Sequence, residues 1–133
     1  MLLSAFPIFA QTRTTDKPFK GHFVNKENNV HLYMDLYEES IVAPGYDFLG
    51  KMNGYLIGNI YGTWFMVSHQ VNDNKATLRF TNDQGSDSQT VELTYVNDST
   101  LSYHATGPAV IRKVDHRKLV KISTTLTLSR YRQ

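Results

Sequence analysis

The feature that most constrains the fold of this chain is an alternation of apolar and polar residues that recurs along most of its length. In the segment Val30–Tyr37, valine, leucine, methionine and leucine alternate with histidine, tyrosine, aspartate and tyrosine. Successive side chains of a β-strand point to opposite faces, so this period of two predicts a half-buried strand whose second face is rich in aromatic residues. The sequence shows no convincing helical stripe of apolar residues, and the chain is therefore predicted to be almost entirely β.

About nine such segments follow one another at intervals of roughly 8–12 residues, with turn-forming residues between them. The predicted strands are residues 19–25, 30–37, 55–61, 63–71, 76–81, 90–96, 100–105, 109–114 and 125–130. The segment 116–121 fits either a strand or a short helical turn. Short connections favour pairing between sequential neighbours, and closure removes exposed strand edges. The predicted fold class is therefore all-β, an antiparallel meander that closes into a barrel of about eight or nine strands.

The N-terminal segment has a different character from the rest of the chain. Its first ten residues carry no charge, are mostly apolar and end at Ala10, which a polar stretch follows. This resembles the apolar core and cleavage site of a secretory signal, although the usual basic start is missing. We therefore expect a signal-like segment at 1–10, a flexible leader at 11–18, a single barrel domain at 19–133, and a periplasmic or secreted location. A buried N-terminal strand is the alternative for residues 1–10.

Composition excludes several classes of protein. The chain contains no cysteine, which excludes a disulfide framework, a thiolate zinc site and a cysteine nucleophile. Its net charge of +2, from 14 basic and 12 acidic residues, is too balanced for a nucleic-acid-binding protein. Beyond the N-terminal segment, no apolar run approaches the roughly 18 residues of a spanning helix, so no membrane span is expected.

No motif in the sequence indicates catalysis. Gly-x-Ser-x-Gly is absent, no glycine-rich phosphate loop opens a helix, and the acidic residues near Asp35 have no defined carboxylate partner. The chain is therefore expected not to be an enzyme and to have no catalytic residue and no cofactor. No metal site is expected either, because metal-motif spacing is absent from the five histidines, which are His22, His31, His69, His104 and His116.

Two short motifs resemble a known family. Gly21-His22-Phe23 lies near the expected mature N-terminus, where lipocalins carry Gly-x-Trp, with Phe23 in place of the tryptophan. The terminal segment Leu126–Arg130 lies where lipocalins carry a basic residue that packs over that aromatic ring. By these motifs and the order of strands, the chain resembles the small secreted bacterial lipocalin-like (calycin) barrels. The resemblance implies a non-enzymatic protein that binds a small apolar or lipid-like ligand in the mouth of the barrel.

Aromatic residues supply the candidate ligand-binding side chains, because small-ligand sites have largely apolar walls. The irregular connection 38–54 contains several apolar residues and is expected to cross one mouth of the barrel, either as a plug or as a cover over a ligand. The alternative function is a protein-interaction or inhibitor domain of the cell envelope, with a core filled by side chains and an envelope protein as its partner. The candidate ligand-binding residues are Tyr33, Tyr37, Phe48, Tyr55, Trp64 and Tyr103.

Overall fold

The computed structural model describes residues 17–84 and 87–132, and the signal-like segment 1–10 lies outside the described residues, as does most of the leader. Ten strands and one short 3-10 turn, Asp47–Leu49, make up the regular structure of this part of the chain. The strands are β1 (Lys20–Asn25), β2 (Val30–Asp35), β3 (Gly54–Gly58), β4 (Trp64–Asn72), β5 (Lys75–Asn82), β6 (Ser88–Asn97), β7 (Thr100–Thr106), β8 (Arg112–Asp115), β9 (Lys118–Lys121) and β10 (Thr125–Arg130).

Eight of these strands form a closed antiparallel barrel in the order β1-β10-β7-β6-β5-β4-β3-β2, which confirms the predicted fold class. Strands β8 and β9 form a separate two-stranded sheet between β7 and β10 in the chain. The predicted strand 109–114 is therefore a strand outside the barrel, and the ambiguous segment 116–121 contains its partner. No helix in the described residues has the length and apolar character needed to cross a membrane.

The barrel interior is lined by alternate residues of each strand. In β2 the buried residues Val30, Leu32 and Met34 face inwards, and in β5 Leu78 and Phe80 do the same. Burying one apolar side chain of this size contributes about 1.5–3 kcal/mol, so a shared interior of this kind is the main source of stability. The largest fully buried side chains are Trp64, Tyr103, Phe19, Phe23, Phe80, Leu32, Met34, Leu56, Leu78, Leu93, Leu101 and Ile111.

The β8–β9 hairpin packs against one end of the barrel. Ile111 and Ile122, which flank its two strands, are buried in the barrel core and joined by a main-chain hydrogen bond of 3.0 Å. The hairpin reaches the β3–β4 connection through a β-bridge between Ile60 and Lys113. The Lys113 ammonium also donates to the Asn28 side chain at 3.0 Å. This segment, rather than the apolar connection 38–54, therefore contributes side chains to an end of the core.

The connection 38–54 contacts the outer wall of the barrel through Tyr46, and its predicted path across a mouth stays a prediction. Its two arms are joined by reciprocal hydrogen bonds between Ile41 and Met52, at 3.0 and 2.8 Å. Between them, the ring of Tyr46 contacts the edge of Phe65, with centroids 4.9 Å apart. Phe65 alternates with the inward-facing residues of β4 and therefore lies on its outer side. Of the apolar residues of this connection, Tyr46 packs on the outer wall, and Val42, Phe48 and Leu49 are exposed.

Candidate ligand-binding cleft

A well-defined concavity lies between the β8–β9 hairpin and the barrel end, and we call it the hairpin cleft. Its volume is about 280 Å³. Residues from three connections converge there: the β3–β4 connection with the start of β4, the β5–β6 turn, and the hairpin. The lining residues are Tyr61, Trp64, Asn82, Gln84, Asp87, Val110, Arg112 and Leu119.

Main-chain hydrogen bonds fix the hairpin against the barrel at this cleft. The Tyr61 amide donates to the Arg112 carbonyl oxygen at 2.8 Å, next to the β-bridge between Ile60 and Lys113. The Val110 amide donates to the Gln89 side chain at 3.0 Å. These bonds anchor the β8 side of the hairpin at two points, so the position of the Arg112 side chain is set by main-chain geometry rather than by a flexible loop.

The floor of the cleft is a polar cluster around one carbonyl oxygen. The Trp64 indole N–H and the Asn82 amide both donate to the Tyr61 oxygen, at 3.2 and 3.3 Å. Trp64 is almost fully buried and Asn82 is buried beside it. Gly62 has a φ of +83°, and a β-carbon there would come within 2.7 Å of the Asp83 carboxylate, so this turn requires glycine. The floor is thus pre-formed, with its hydrogen-bonding groups already paired.

The walls of the cleft carry one cation and one anion. Arg112, on the hairpin side, donates to the Val110 oxygen at 3.3 Å and makes no ion pair with any carboxylate among the described residues. A guanidinium has five N–H donors, so most of this one remains available for a ligand. Asp87, on the β5–β6 turn, supplies a carboxylate to the other side. The cleft can therefore hold a small molecule with an apolar body and an anionic group directed at Arg112.

The six candidate residues from the sequence do not share one site. Trp64 alone lines the hairpin cleft, and Tyr103 lies in the barrel core, where burial raises the pKa of its phenol far above the usual range. Tyr37 accepts a hydrogen bond from the Phe19 amide at 3.1 Å on its hydroxyl. Phe48 is 79% exposed at the tip of the 38–54 connection. A ligand role for these residues stays a prediction, and they do not form a single pocket wall.

The remaining two candidates, Tyr33 and Tyr55, belong to a row of stacked rings on the outside of the barrel, which we call the outer ladder. The Tyr33 ring stacks on Tyr55, with centroids 4.9 Å apart, and on His22, with centroids 4.0 Å apart. The ring of Tyr131 then contacts His22, with centroids 4.6 Å apart. The first two pairs are within 19° of parallel. Because these rings stack face to face, neighbouring rings cover the faces that a ligand ring would need. The row therefore resembles cross-strand packing rather than a ligand-binding surface.

His22 in this row faces a second histidine. Its Nε2 lies 2.9 Å from Nδ1 of His31. Partial burial, and to a smaller extent His31, lower the pKa of His22. No group of three or more histidine, aspartate or glutamate side chains in the described residues is arranged to hold a metal ion.

Tyr46 links the 38–54 connection to the β5–β6 turn beside the cleft. Its hydroxyl donates a short hydrogen bond to the Asp83 carboxylate, which also accepts from the Thr63 amide at 3.0 Å. The hydrogen bond to Asp83 is the main reason that the pKa of Tyr46 is raised. Asp83 therefore ties the start of β4, the β5–β6 turn and the outer connection together.

Sequence reasoning missed most of the cleft. Tyr61, Asn82 and Arg112 lie more than twenty residues apart from one another and belong to no recognised motif. One signal was present: Tyr61-Gly62 is separated only by Thr63 from Trp64, the only tryptophan of the chain, at a turn that requires glycine.

Comparisons with known proteins returned no match: no protein-family model, no curated protein and no solved structure is significantly similar to this chain. A function for this chain can therefore be inferred only from its fold and from the geometry of the cleft.

Proposed function

We propose that this chain is an exported, non-enzymatic binding protein of the lipocalin-like type, which takes a small ligand in the hairpin cleft. The closed eight-stranded meander is a β-barrel that could hold a ligand. One contact and one motif support the lipocalin-like type: the Arg130 guanidinium lies 4.7 Å from the centre of the Phe23 ring, and Phe23 ends the Gly-x-aromatic motif that Gly21 begins. The resemblance stated from the sequence implied this packing.

The observation that carries the ligand proposal is the Arg112 guanidinium, which makes no ion pair among the described residues and lines the same cleft as Trp64. Charge-assisted hydrogen bonds from arginine to a carboxylate are about twice as strong as neutral ones. A compact apolar or aromatic body with a carboxylate would place its ring near Trp64 and Tyr61 and its charge at Arg112. The cleft thus favours a small organic anion.

The volume of the cleft narrows the ligand class further. At about 280 Å³ it is slightly smaller than the usual pockets for drug-sized molecules, which begin near 300 Å³. The interior-facing positions of the barrel strands are occupied by one continuous cluster of buried side chains. A long-chain lipid would therefore not be enclosed, and we replace the expected lipid-like ligand with a smaller amphiphile at the barrel end.

The fluorescence of Trp64 can report ligand binding, because Trp64 is the only tryptophan in the chain and lines the cleft. We would titrate the full chain with cyclohexanecarboxylate, which does not absorb at the excitation wavelength, and record Trp64 emission. The uncharged cyclohexanecarboxamide serves as the matched ligand. Saturable binding with at least a tenfold preference for the carboxylate is expected, equivalent to about 1.4 kcal/mol.

Two variants locate the binding. Arg112→Gln is expected to remove the preference for the carboxylate, whereas Arg79→Gln, on an exposed residue of β5, should leave it unchanged. Equal affinity for both ligands, or unchanged binding by Arg112→Gln, would exclude the cleft as an anion site. An unsaturable response to both ligands would exclude small-ligand binding of this type altogether.

A second candidate function is protein interaction at the cell envelope, and one observation favours it. Phe48 is 79% exposed and Leu49 is 47% exposed, next to each other on the 38–54 connection. Large exposed apolar side chains that cluster are typical of partner-binding surfaces. Native mass spectrometry of the protein from its own periplasm should then show a stoichiometric partner that Phe48→Ser loses and Arg112→Gln keeps. If Arg112→Gln lost the partner and Phe48→Ser kept it, the hairpin cleft and not the 38–54 connection would be the binding site.

Export is part of the proposal and is tested separately. The expression of the full chain with a C-terminal tag, followed by cell fractionation and N-terminal sequencing, should yield a periplasmic or secreted product that begins at Gln11. An uncleaved chain in the cytoplasm would leave the binding proposal intact and overturn the proposed location.

A further inference from the structure

The β8–β9 hairpin holds an unusual share of the positive charge of the chain. Residues 112–121 contain five lysine or arginine residues and one aspartate, a net charge of +4. The whole chain has a net charge of +2, so all other residues together carry −2. The protein is therefore electrically polarised, with its positive charge concentrated in one hairpin at one end of the barrel. Such an asymmetry orients a protein towards an anionic partner.

The cations of the hairpin are not neutralised by carboxylates of the protein. The Asp115 carboxylate lies 2.8 Å from the His116 ring, and none of the five lysine and arginine side chains makes an ion pair in the described part of the chain. Arg112 and Lys121 lie directly opposite each other in the register of β8 and β9. Like charges at such positions destabilise a sheet, and an external anion beside them relieves the repulsion.

The tip of the hairpin has a backbone conformation that does not suit the residues it carries. His116 and Arg117 have φ values of +52° and +70°, the conformation of a two-residue hairpin turn that favours Asn-Gly. Residues with a β-carbon are strained there, and strain of this kind clusters at functional sites. Both side chains are exposed. The turn thus keeps a basic side chain at the tip at a cost to the backbone.

Aliphatic side chains are interleaved with these cations. Every residue from 114 to 121 is exposed, including Val114, Leu119 and Val120. Val114 lies opposite Leu119, so these two share one face of the hairpin, and Val120 lies on the other face. Basic and aliphatic side chains together suit a lipid surface, where charge meets the headgroups and apolar area enters the interface. The hairpin has no phenylalanine, tyrosine or tryptophan on which a nucleic-acid base could stack.

We propose that the β8–β9 hairpin docks this protein on the surface of a membrane that contains anionic phospholipids. Arg117, Lys118 and Lys121 bind headgroup phosphates, and the three exposed aliphatic side chains enter the interface between headgroups and acyl chains. The β-bridge between Ile60 and Lys113 holds the other edge of β8, so β9 is the outer strand that meets the lipid. The contact is peripheral and reversible, because each cation near an anionic surface contributes about fivefold to the binding constant.

The test measures cosedimentation of the full chain with phosphatidylglycerol vesicles and, for comparison, with vesicles of zwitterionic phosphatidylcholine. Binding to phosphatidylglycerol should be at least tenfold tighter at about 0.1 M salt and should weaken as the salt concentration rises. The triple variant Arg117→Gln/Lys118→Gln/Lys121→Gln should lose at least tenfold in affinity. Val120→Ser should weaken binding severalfold, whereas Val67→Ser, at an exposed position of β4, should not.

A matched triple variant separates the hairpin from the overall charge of the protein. Lys51→Gln/Lys75→Gln/Arg79→Gln also removes one arginine and two lysines from exposed positions, all outside the hairpin, and should bind nearly as well as the wild type. The apolar residues 1–10 are present in every variant, so their contribution to vesicle binding is common to all. Both triple variants retain Arg112, so the carboxylate preference of the hairpin cleft can be measured in each and succeeds or fails independently.

Three outcomes would overturn the docking role. These are equal binding to the two lipids, equal loss of binding in the two triple variants, and tighter binding to a short DNA duplex than to phosphatidylglycerol vesicles. The unfolding midpoint in urea, followed by Trp64 emission, shows that each variant is folded. Should the hairpin triple variant be unfolded, Lys121→Gln, which removes the like-charge opposition to Arg112, should retain the fold and weaken vesicle binding about fivefold. Unchanged binding by that variant would then exclude the hairpin.

Discussion

Arg130 of β10 occupies the space that the missing side chain of Gly21 in β1 leaves free, at the seam between β1 and β10 where the barrel closes. A β-carbon at residue 21 would lie only 2.7 Å from Nη1 of Arg130. That same nitrogen donates to the Lys20 carbonyl oxygen at 2.8 Å, and Nε donates to the Asp98 oxygen at 2.8 Å. The register of β1 with β10 contains only two residue pairs, so one arginine supplies a large part of the bonding at this seam.

The first prediction concerns this seam. Arg130→Met keeps much of the apolar stem but removes two hydrogen bonds and the cation over Phe23, and should lower the free energy of unfolding by about 1–3 kcal/mol. Gly21→Ala should destabilise the protein as well, because φ at residue 21 is +136° and the added methyl group displaces Arg130. Urea unfolding followed by Trp64 emission measures both. The exposed Arg79→Met is the control, and equal stability of all three variants would contradict the role of Arg130.

The second prediction concerns Asp35, a carboxylate only 2% exposed at the end of β2. Burial alone would raise its pKa, but hydrogen bonds from the Tyr37 amide and the Ser40 hydroxyl, with the charge of Lys20, lower it below the ordinary value of 3.8. A carboxylate with a lowered folded pKa stabilises the fold above its unfolded pKa, and this contribution is lost as the pH falls through the folded value.

Asp35→Asn should therefore cost about 1–3 kcal/mol at pH 7, and the difference from the wild type should shrink as the pH falls below 3.8. Urea unfolding at a series of pH values measures this. Glu39→Gln, on an exposed neighbour, should show no such convergence. A difference that stayed constant down to pH 2 would mean that Asp35 acts through packing rather than charge.

The third prediction concerns the attachment of the 38–54 connection through Tyr46. Tyr46→Phe removes the hydroxyl bound to Asp83 but keeps the ring on Phe65, so local opening of the connection should become about tenfold more frequent. Amide hydrogen exchange at Leu49 and Gly50, whose amides bond within this turn, measures the opening. The global unfolding midpoint should change little.

Phe48→Ser is the matched variant for that measurement, because Phe48 is largely exposed and its loss should leave the exchange at Leu49 and Gly50 unaltered. If Phe48→Ser accelerated exchange as much as Tyr46→Phe, the connection would be held by its apolar residues and the link to Asp83 would be unimportant.

The fourth prediction concerns the anchor of the β8–β9 hairpin. Ile111 is 2% exposed and belongs to the barrel core, so Ile111→Ala should lower the free energy of unfolding by about 2–5 kcal/mol. Val120, in the same hairpin, is 40% exposed, and Val120→Ala should change it by less than about 0.5 kcal/mol. Thermal and urea unfolding measure both. Similar costs for the two variants would show that the hairpin is not anchored through Ile111.

The sequence allowed the barrel to be predicted because one face of most barrel strands is buried and the other is not. In β5 the alternation is complete, with Ala76, Leu78 and Phe80 buried between exposed residues. The hairpin was harder to recognise for the same physical reason. All four residues of β9 are exposed, so Lys118–Lys121 has no buried face that could produce a period of two.

The candidate site was predicted less well, because a site depends on where connections meet rather than on local periodicity. Trp64 was identified from its residue type, but Arg112 reaches the cleft only because the hairpin folds back towards Tyr61. The 38–54 connection was assigned to a mouth from its apolar content. That content did not reveal the bridge between Ile41 and Met52 or the contact of Tyr46 with the outer wall.

The position of the β8–β9 hairpin in the topology has a consequence for how such a protein can diversify. Strands β7 and β10 pair directly with each other, with Leu101 opposite Leu128, although the hairpin separates them in the chain. Pairing of β7 with β10 thus does not involve the exposed residues 114–120 of the hairpin, which Ile111 and Ile122 keep docked on the barrel. Changes of sequence in 114–120, which include the lining residue Leu119, can alter one wall of the cleft while the barrel stays intact, so the shape of the cleft and the stability of the barrel can change separately.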